Sequence, residues 1–210
     1  MIRILIVDDH VVVRDGVKKI FDENPDEAVF GEASTVEEAL QLIREGSWDV
    51  VVLDISLGQR SGLEVLQEVK QLRPKLPVLI FSMHAEEQYA RRAFRAGAAG
   101  YITKGSSRAE LVIAINKVIS GDRYVSPALA EKLVFDMARG EDGPPHEALS
   151  QREFEVMRLI ASGKTISEIA ELLSLSDRTI STYRVRILEK MSMKTNAELT
   201  HYAVKNSLVE

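Results

Sequence analysis

Over its first 120 or so residues the chain alternates short apolar runs with stretches whose apolar residues recur every three or four positions, and few folds tolerate that rhythm. The runs at 2–7, 28–33, 50–53, 78–81 and 100–103 are of strand length. They lack the apolar/polar alternation of a half-solvated sheet, so they predict strands covered on both faces. Between them the spacing predicts helices over 12–24, 36–45, 63–72, 86–96 and 109–120. Five strands and five helices in strict alternation specify an α/β domain, a doubly wound, flavodoxin-like, five-stranded parallel sheet.

After Gly121 the pattern stops. A short helix over 128–138 is followed by a crowd of Gly, Pro and acidic residues from Arg139 to His146, which marks a linker. From Leu149 every segment reads as helix, over 152–162, 166–173, 177–191 and 196–206. The expected organisation is an α/β domain at 1–122, a linker at 123–147 and a small all-α, four-helix domain at 148–210. In a chain of 210 residues both domains are large enough to bury a core. The chain contains no cysteine, which excludes a disulfide scaffold and a Cys-based zinc site. Its apolar runs fall far short of the ~20 residues of a membrane helix, and Met1-Ile2-Arg3 leads straight into a strand instead of a signal peptide. A cytoplasmic protein is expected.

In open α/β sheets, ligands bind beyond the carboxyl ends of the strands. The residues there are Asp8 and Asp9 after the first run, Asp54 after the third, Ser82 after the fourth and Lys104 at the end of the fifth. Three carboxylates, a hydroxyl and an ammonium thus meet in one crevice. Carboxylates at close quarters repel one another, so the cluster calls for a hard cation such as Mg²⁺. An aspartate can accept a phosphoryl group as an acyl phosphate while a metal and a lysine neutralise its oxygens. Asp54, alone at a central strand end, is the natural nucleophile, which leaves Asp8 and Asp9 to hold the metal. Taken singly, Asp9 and Ser82 read as helix N-caps, Lys104 as a solvated charge and Tyr101 as a core aromatic. Joint placement at four strand ends favours chemistry. His10 and His84 flank the site without metal-ligand spacing to each other and read as local polar contacts.

Through Ile-Val-Asp8-Asp9-His10, Val-Val-Leu-Asp54-Ile-Ser56-Leu, Phe-Ser82-Met-His and Ala-Gly-Ala-Ala-Gly-Tyr101-Ile-Thr-Lys104, the first domain resembles the receiver domain of two-component response regulators, with its CheY-like fold. The resemblance implies that Asp54 is a phosphoacceptor charged by a sensor histidine kinase. It also implies that Asp8, Asp9, Asp54 and the Ser56 backbone carbonyl hold Mg²⁺. Ser82 and Lys104 would contact the phosphoryl group, and Tyr101 would change rotamer with Ser82. Gly58 and Gly105 stand where the family usually has proline, and glycine frees torsions that proline fixes.

In the second domain, residues 165–180 read as a helix, a break and a second helix. Ile166, Ile169, Ala170 and Leu173 line one face of the first. Ser176 suits the N-cap of the second and Asp177 its positive end, while Ile180, Ile187, Leu188 and Met191 form a core face. This is a helix-turn-helix pattern. The outward face presents Arg178, Ser181, Thr182 and Val185 with Arg186 at its edge, a mix suited to base edges and phosphates. Thr179 and Lys190 complete the set, with Arg184, whose stem packs while its guanidinium snorkels toward a phosphate. The chain as a whole carries a net charge of −5, yet residues 176–195 hold five basic side chains against two acidic ones.

Through Leu-Ser-Gln-Arg152-Glu153-Phe-Glu-Val, Ile-Ala-Ser-Gly163-Lys, Glu168-Ile-Ala, Ser-Asp-Arg-Thr179-Ile-Ser-Thr-Tyr183 and Ile-Leu-Glu-Lys190-Met, this domain resembles the LuxR-type output domain of the NarL/FixJ class. Many members carry lysine in place of Ser181 and histidine in place of Tyr183. The resemblance implies a recognition helix at 177–191 and a dimerisation helix at 196–206. The combined expectation is a phosphorylation-controlled transcription factor, not an enzyme. It would bind double-stranded promoter DNA, form a homodimer on activation, admit RNA polymerase as a further partner and use no membrane. Two alternatives stand beside it. One is a Mg²⁺-dependent phosphohydrolase with an aspartyl-phosphate intermediate, disfavoured because Ser56 occupies the place of its second acid and no substrate cap is apparent. The other is a receiver acting as a phosphate-independent interaction module.

Overall fold

The computed structural model describes residues 1–21, 28–57, 60–84, 86–127, 129–131 and 144–209. The chain divides into two compact units, residues 1–138 and 139–210. In the first, strands β1 (Ile2–Val7), β2 (Ala28–Ala33), β3 (Val50–Leu53), β4 (Val78–Ser82) and β5 (Gly100–Thr103) form one parallel sheet in the order β2-β1-β3-β4-β5. Helices α1 (Val11–Lys19), α2 (Val36–Glu45), α3 (Gly62–Leu72), α4 (Glu86–Arg95) and α5 (Arg108–Ile119) alternate with them.

Both faces of the sheet are covered. Ile4, Ile6, Val50, Val52, Leu79 and Ile102 pack with Val17 of α1 and with Leu111, Ile115 and Val118 of α5. The intervening Leu5, Val7, Val51, Leu53 and Ile80 are just as buried. All four positions of β3 and the last four of β1 are buried, so these runs do not alternate, whereas Arg3 on β1 and Val29 and Glu32 on the edge strand β2 are exposed. The register aligns the strand ends: Val7 lies opposite Ala33 and Leu53, Leu53 opposite Ile80, and Ile80 opposite Tyr101. Whatever follows these residues must therefore meet along one edge.

Local chemistry sets the helix starts. Thr35 and Ser61 accept the backbone N–H groups of Glu38 and Leu63, and Ser107 with Glu110 closes a capping box at α5. Two features escaped the sequence pattern. Ser56–Leu57 and Arg60–Ser61 pair as an antiparallel ribbon, too short to carry a period. Tyr124, expected in the linker, makes a parallel bridge to Gly100 and is 9% exposed, so the chain stays on the sheet edge beyond α5. A methyl group at Gly100 would lie 2.9 Å from Leu79 Cδ1 and 3.0 Å from Tyr124 Cβ, which explains the glycine at this crossing. β4 also runs one residue further than expected, because the Ser82 carbonyl continues the ladder to the Lys104 N–H at 2.8 Å. The expected end of α1, at 22–24, lies outside the described residues.

The second unit opens with a 3₁₀ turn, Pro145–Ala148, followed by α6 (Gln151–Ala161), α7 (Ile166–Leu172), α8 (Asp177–Lys190) and α9 (Asn196–Lys205). Its core is built from Phe154, Met157, Ile169, Ile180, Ile187 and Leu199, none more than 0% exposed. Capping boxes start α6 (Ser150 with Glu153) and α7 (Thr165 with Glu168), and Ser176 caps α8 as its sequence position suggested. The opening turn, assigned by sequence to the linker, is part of this unit: His146 is 8% exposed and its Nδ1 lies 2.8 Å from the Tyr202 hydroxyl. The expected short helix falls mostly outside the described residues. No described helix is long and apolar enough to cross a membrane.

Candidate functional site

The sheet ladder carries the acidic residues to their places. The Asp8 N–H donates to the Ala33 carbonyl at 3.1 Å and the Asp54 N–H to the Val7 carbonyl at 2.9 Å, so both residues sit one step beyond aligned strand ends. Both carboxylates are buried, and the Lys104 ammonium lies 2.7 Å from Asp8 Oδ2 and 2.7 Å from Asp54 Oδ2. Asp54 Oδ1 is buried and has no hydrogen-bond partner. Asp9 is more open; its Oδ1 lies 2.7 Å from His10 Nδ1, while Asp8 Oδ1 accepts the His10 N–H at 2.9 Å. Asp9 is therefore not a helix cap: α1 begins after His10, without a side-chain cap.

One ammonium faces two buried carboxylates and a third nearby, which leaves a surplus of negative charge. Burial pushes the Asp54 carboxyl above its usual range, against the hydrogen bond and charge of Lys104 and with the repulsion of Asp8. Burial also opposes charge on Lys104, but its hydrogen bonds to Asp54 and Asp8 prevail and raise it. Asp8, Asp9, His10 and Asp54 each place a ligand atom within 4.8 Å of the others. An orphaned buried oxygen, a charge surplus and hard oxygen donors fit a divalent cation of the Mg²⁺ type.

Ser82 is fully buried; its Oγ accepts the His84 N–H at 3.3 Å. The Tyr101 ring is fully buried too, with its hydroxyl donating to the His84 carbonyl at 2.9 Å. Ser56 Oγ lies 3.1 Å from His84 Nε2. The two histidines make the local polar contacts expected of them, but sequence did not show that His84 joins Ser56, Ser82 and Tyr101. It also missed Gly62. A methyl group there would lie 2.0 Å from the Asp54 carbonyl oxygen, so the start of α3 can sit against the Asp54 backbone only as glycine. Gly58 is outside the described residues, and open space surrounds Gly105.

In the second unit, Ile180, Ile187 and Leu188 turn one face of α8 into the core. Arg178, Ser181, Thr182, Val185 and Arg186 are exposed on the remainder. Thr179 is half-buried, its hydroxyl 2.8 Å from that of the Ser176 cap. Ser167 Oγ donates to Asp177 Oδ2 at 2.6 Å and ties α7 to the start of α8. Two of the expected DNA contacts hold partners within the domain: Arg184 Nε donates to Asn196 Oδ1 at 2.7 Å, and Lys190 Nζ to Glu153 Oε2 at 2.6 Å.

Comparison with known proteins agrees with this division. Residues 4–116 match the response regulator receiver domain, and residues 147–203 match the luxR family of bacterial regulatory proteins. The response regulator UvrY of Escherichia coli K12 is 35% identical over 209 residues, 99% of this chain and 96% of that protein. A LuxR-family two-component response regulator from Aurantimonas sp. SI85-9A1 is 40% identical over 65% of this chain and 97% of its own, with a TM-score of 0.60. RcsB of Salmonella enterica serovar Typhimurium, solved bound to the promoter rprA in the presence of phosphomimetic BeF₃⁻, shares the fold at 22% identity and a TM-score of 0.63, over 96% of this chain and 98% of that one.

Proposed function

Because this chain belongs to the two-component response regulators of the NarL/FixJ class, with a receiver domain and a LuxR-type DNA-binding domain, we propose that phosphorylation of Asp54 by a sensor histidine kinase controls its dimerisation and its binding to promoter DNA. The observation that carries this reading is the asymmetry of Asp54, with Oδ2 held by Lys104 at 2.7 Å and Oδ1 buried without a partner. Oδ1 attacks the phosphorus of a phosphohistidine; the O–P bond forms as the P–N bond breaks, and the imidazole leaves with the bonding pair. Asp8, Asp9, Asp54 and the Ser56 carbonyl are the groups that would hold Mg²⁺, which supplies charge neutralisation for the phosphoryl oxygens. Lys104 is already within reach of Asp54 and pairs with a phosphoryl oxygen after transfer. Ser82 exchanges its weak bond from the His84 N–H for donation to the same group. Since Tyr101 holds the His84 carbonyl, movement of residues 82–84 is passed to β5, the strand that leads into Lys104.

On the output side, α8 is the recognition helix. Arg178, Thr179, Ser181, Thr182, Val185 and Arg186 face the major groove, with Arg184 and Lys190 flanking them. The domain is only weakly basic, with 9 basic against 8 acidic side chains in residues 149–210, so two copies are needed for tight binding. α9 supplies the dimer contact, RNA polymerase is a further partner, and the protein acts in the cytoplasm without turning over a substrate. RcsB, which shares the fold, was solved bound to promoter DNA, and this supports the DNA-binding reading.

The test combines a small phosphodonor and Mg²⁺ with intact-mass spectrometry, gel filtration and promoter binding. The wild type gains one phosphoryl group, dimerises and binds DNA more tightly; Asp54→Ala does none of these. Identical behaviour of the two proteins would refute phospho-control.

A further inference from the structure

Asp8 closes the β1 ladder, and its two backbone polar groups meet different fates. Its N–H is taken by the Ala33 carbonyl at 3.1 Å, but pairing of β1 with β2 and β3 ends at Val7. The Asp8 carbonyl would therefore be left without a ladder partner. Arg14, one turn into α1, fills the gap: its Nη1 donates to the Asp8 carbonyl at 2.7 Å. The guanidinium is itself gripped, since Nε donates to Glu32 Oε2 at 3.0 Å, and the other oxygen of Glu32 accepts Lys18 Nζ at 2.6 Å. The Arg14 side chain is only 14% exposed. A relay therefore runs from β2 through Glu32 and Arg14 to the peptide that joins Asp8 to Asp9.

That peptide is planar, so its carbonyl and the Asp9 N–H move together. Fixing the Asp8 carbonyl fixes the direction in which the chain enters Asp9, and with it where the Asp9 carboxylate sits relative to Asp8 and Asp54. We infer that Arg14, braced by Glu32, is a positioning residue that presets the acidic pair for a divalent cation. The inference rests on the metal-binding reading of the pocket. It differs from simple charge compensation, because toward the pocket Arg14 touches the Asp8 carbonyl and not a pocket carboxylate, while Glu32 cancels its charge. The two roles predict opposite signs: removing a mere cation beside an acidic pocket tightens Mg²⁺ binding, whereas removing a support loosens it.

The experiment is a calorimetric Mg²⁺ titration of the full chain as wild type, Arg14→Met, Arg14→Lys and Glu32→Gln, with Trp48 fluorescence and circular dichroism as checks of folding. Arg14→Met weakens Mg²⁺ binding by about tenfold, in the range seen when groups supporting metal ligands are lost. Glu32→Gln weakens it less, and Arg14→Lys, which keeps one donor, recovers part of the loss. In phosphodonor assays the half-saturating Mg²⁺ concentration rises in step, while the rate at saturating Mg²⁺ stays near that of the wild type. Unchanged or tighter Mg²⁺ binding by folded Arg14→Met overturns the inference. Failure of the wild type to bind Mg²⁺ overturns the reading of the pocket itself, and the inference with it.

Discussion

Replacing Glu153 by alanine removes three things from the output domain that can be separated. The side chain is 4% exposed, accepts the Ser150 N–H at 2.7 Å in the capping box of α6, and holds Lys190 of α8 at 2.6 Å. Loss of the cap costs about 1 kcal/mol. The buried Cγ methylene, the one methylene that alanine does not keep, adds about 0.8 kcal/mol. The ion pair adds about 0.5 kcal/mol, because the Lys190 side chain is 42% exposed and solvent screens it. Glu153→Ala should therefore destabilise the second unit by about 2 kcal/mol, and Glu153→Gln, which keeps the stem and an acceptor for Ser150, by about 1 kcal/mol or less. The single tryptophan, Trp48, lies in the first unit and reports on that unit alone. Urea unfolding followed by circular dichroism should show an early helical transition in Glu153→Ala while the Trp48 transition stays in place. Burial opposes ionisation of Glu153, but hydrogen bonds from Lys190 and Ser150 bring its carboxyl below the ordinary value of 4.5. With the folded value depressed, the stabilisation is complete above the ordinary value and disappears as pH falls through the folded one, so the wild type should lose helical stability on acidification and Glu153→Gln should lose less. An alanine variant with the wild-type midpoint, or a glutamine variant as damaged as alanine, would refute the reasoning.

Other substitutions probe the site and the recognition helix. Lys104→Met leaves two buried carboxylates without their shared ammonium, at a cost of about 3 kcal/mol, and Mg²⁺ should then raise Tm more than in the wild type; equal increments in thermal scans would contradict the charge argument. Gly62→Ala forces a methyl group to within 2.0 Å of the Asp54 carbonyl oxygen unless the backbone moves, so stability and phosphoryl uptake by mass spectrometry should both fall. Normal uptake would show that the contact relaxes harmlessly. Arg186→Met should lower the slope of log affinity against log salt by about 0.9 in DNA titrations, and Lys190→Met, whose ammonium is paired with Glu153, by less than half of that. Equal slopes for both variants would place Lys190 on the phosphate backbone instead.

Much of the receiver was legible because its signals are local and repeated. An apolar run of strand length is written in consecutive residues, so 2–7, 28–33, 50–53 and 100–103 could be read to the residue. The polar residues at the strand ends were visible for the same reason, since each ends an apolar run. Tyr124, His146 and the ribbon of Ser56–Leu57 with Arg60–Ser61 were not, because one bridge, one buried imidazole and two pairs of residues generate no period.

Sequence by itself determined the order of elements, the buried sheet and the identity of the groups brought to its carboxyl edge. Only the tertiary structure decided how those groups divide their bonds: that Lys104 serves both Asp8 and Asp54, that Asp54 Oδ1 is left without a partner, and that Arg14 braces the Asp8 carbonyl from β2. It likewise decided that Lys190, a recognition-helix cation by position, is held by Glu153. The physical reason is one of range. Apolar periodicity is written residue by residue along the chain, whereas hydrogen bonds and ion pairs between residues 37, 46 or 50 positions apart depend on directions that exist only once the strands and helices have packed.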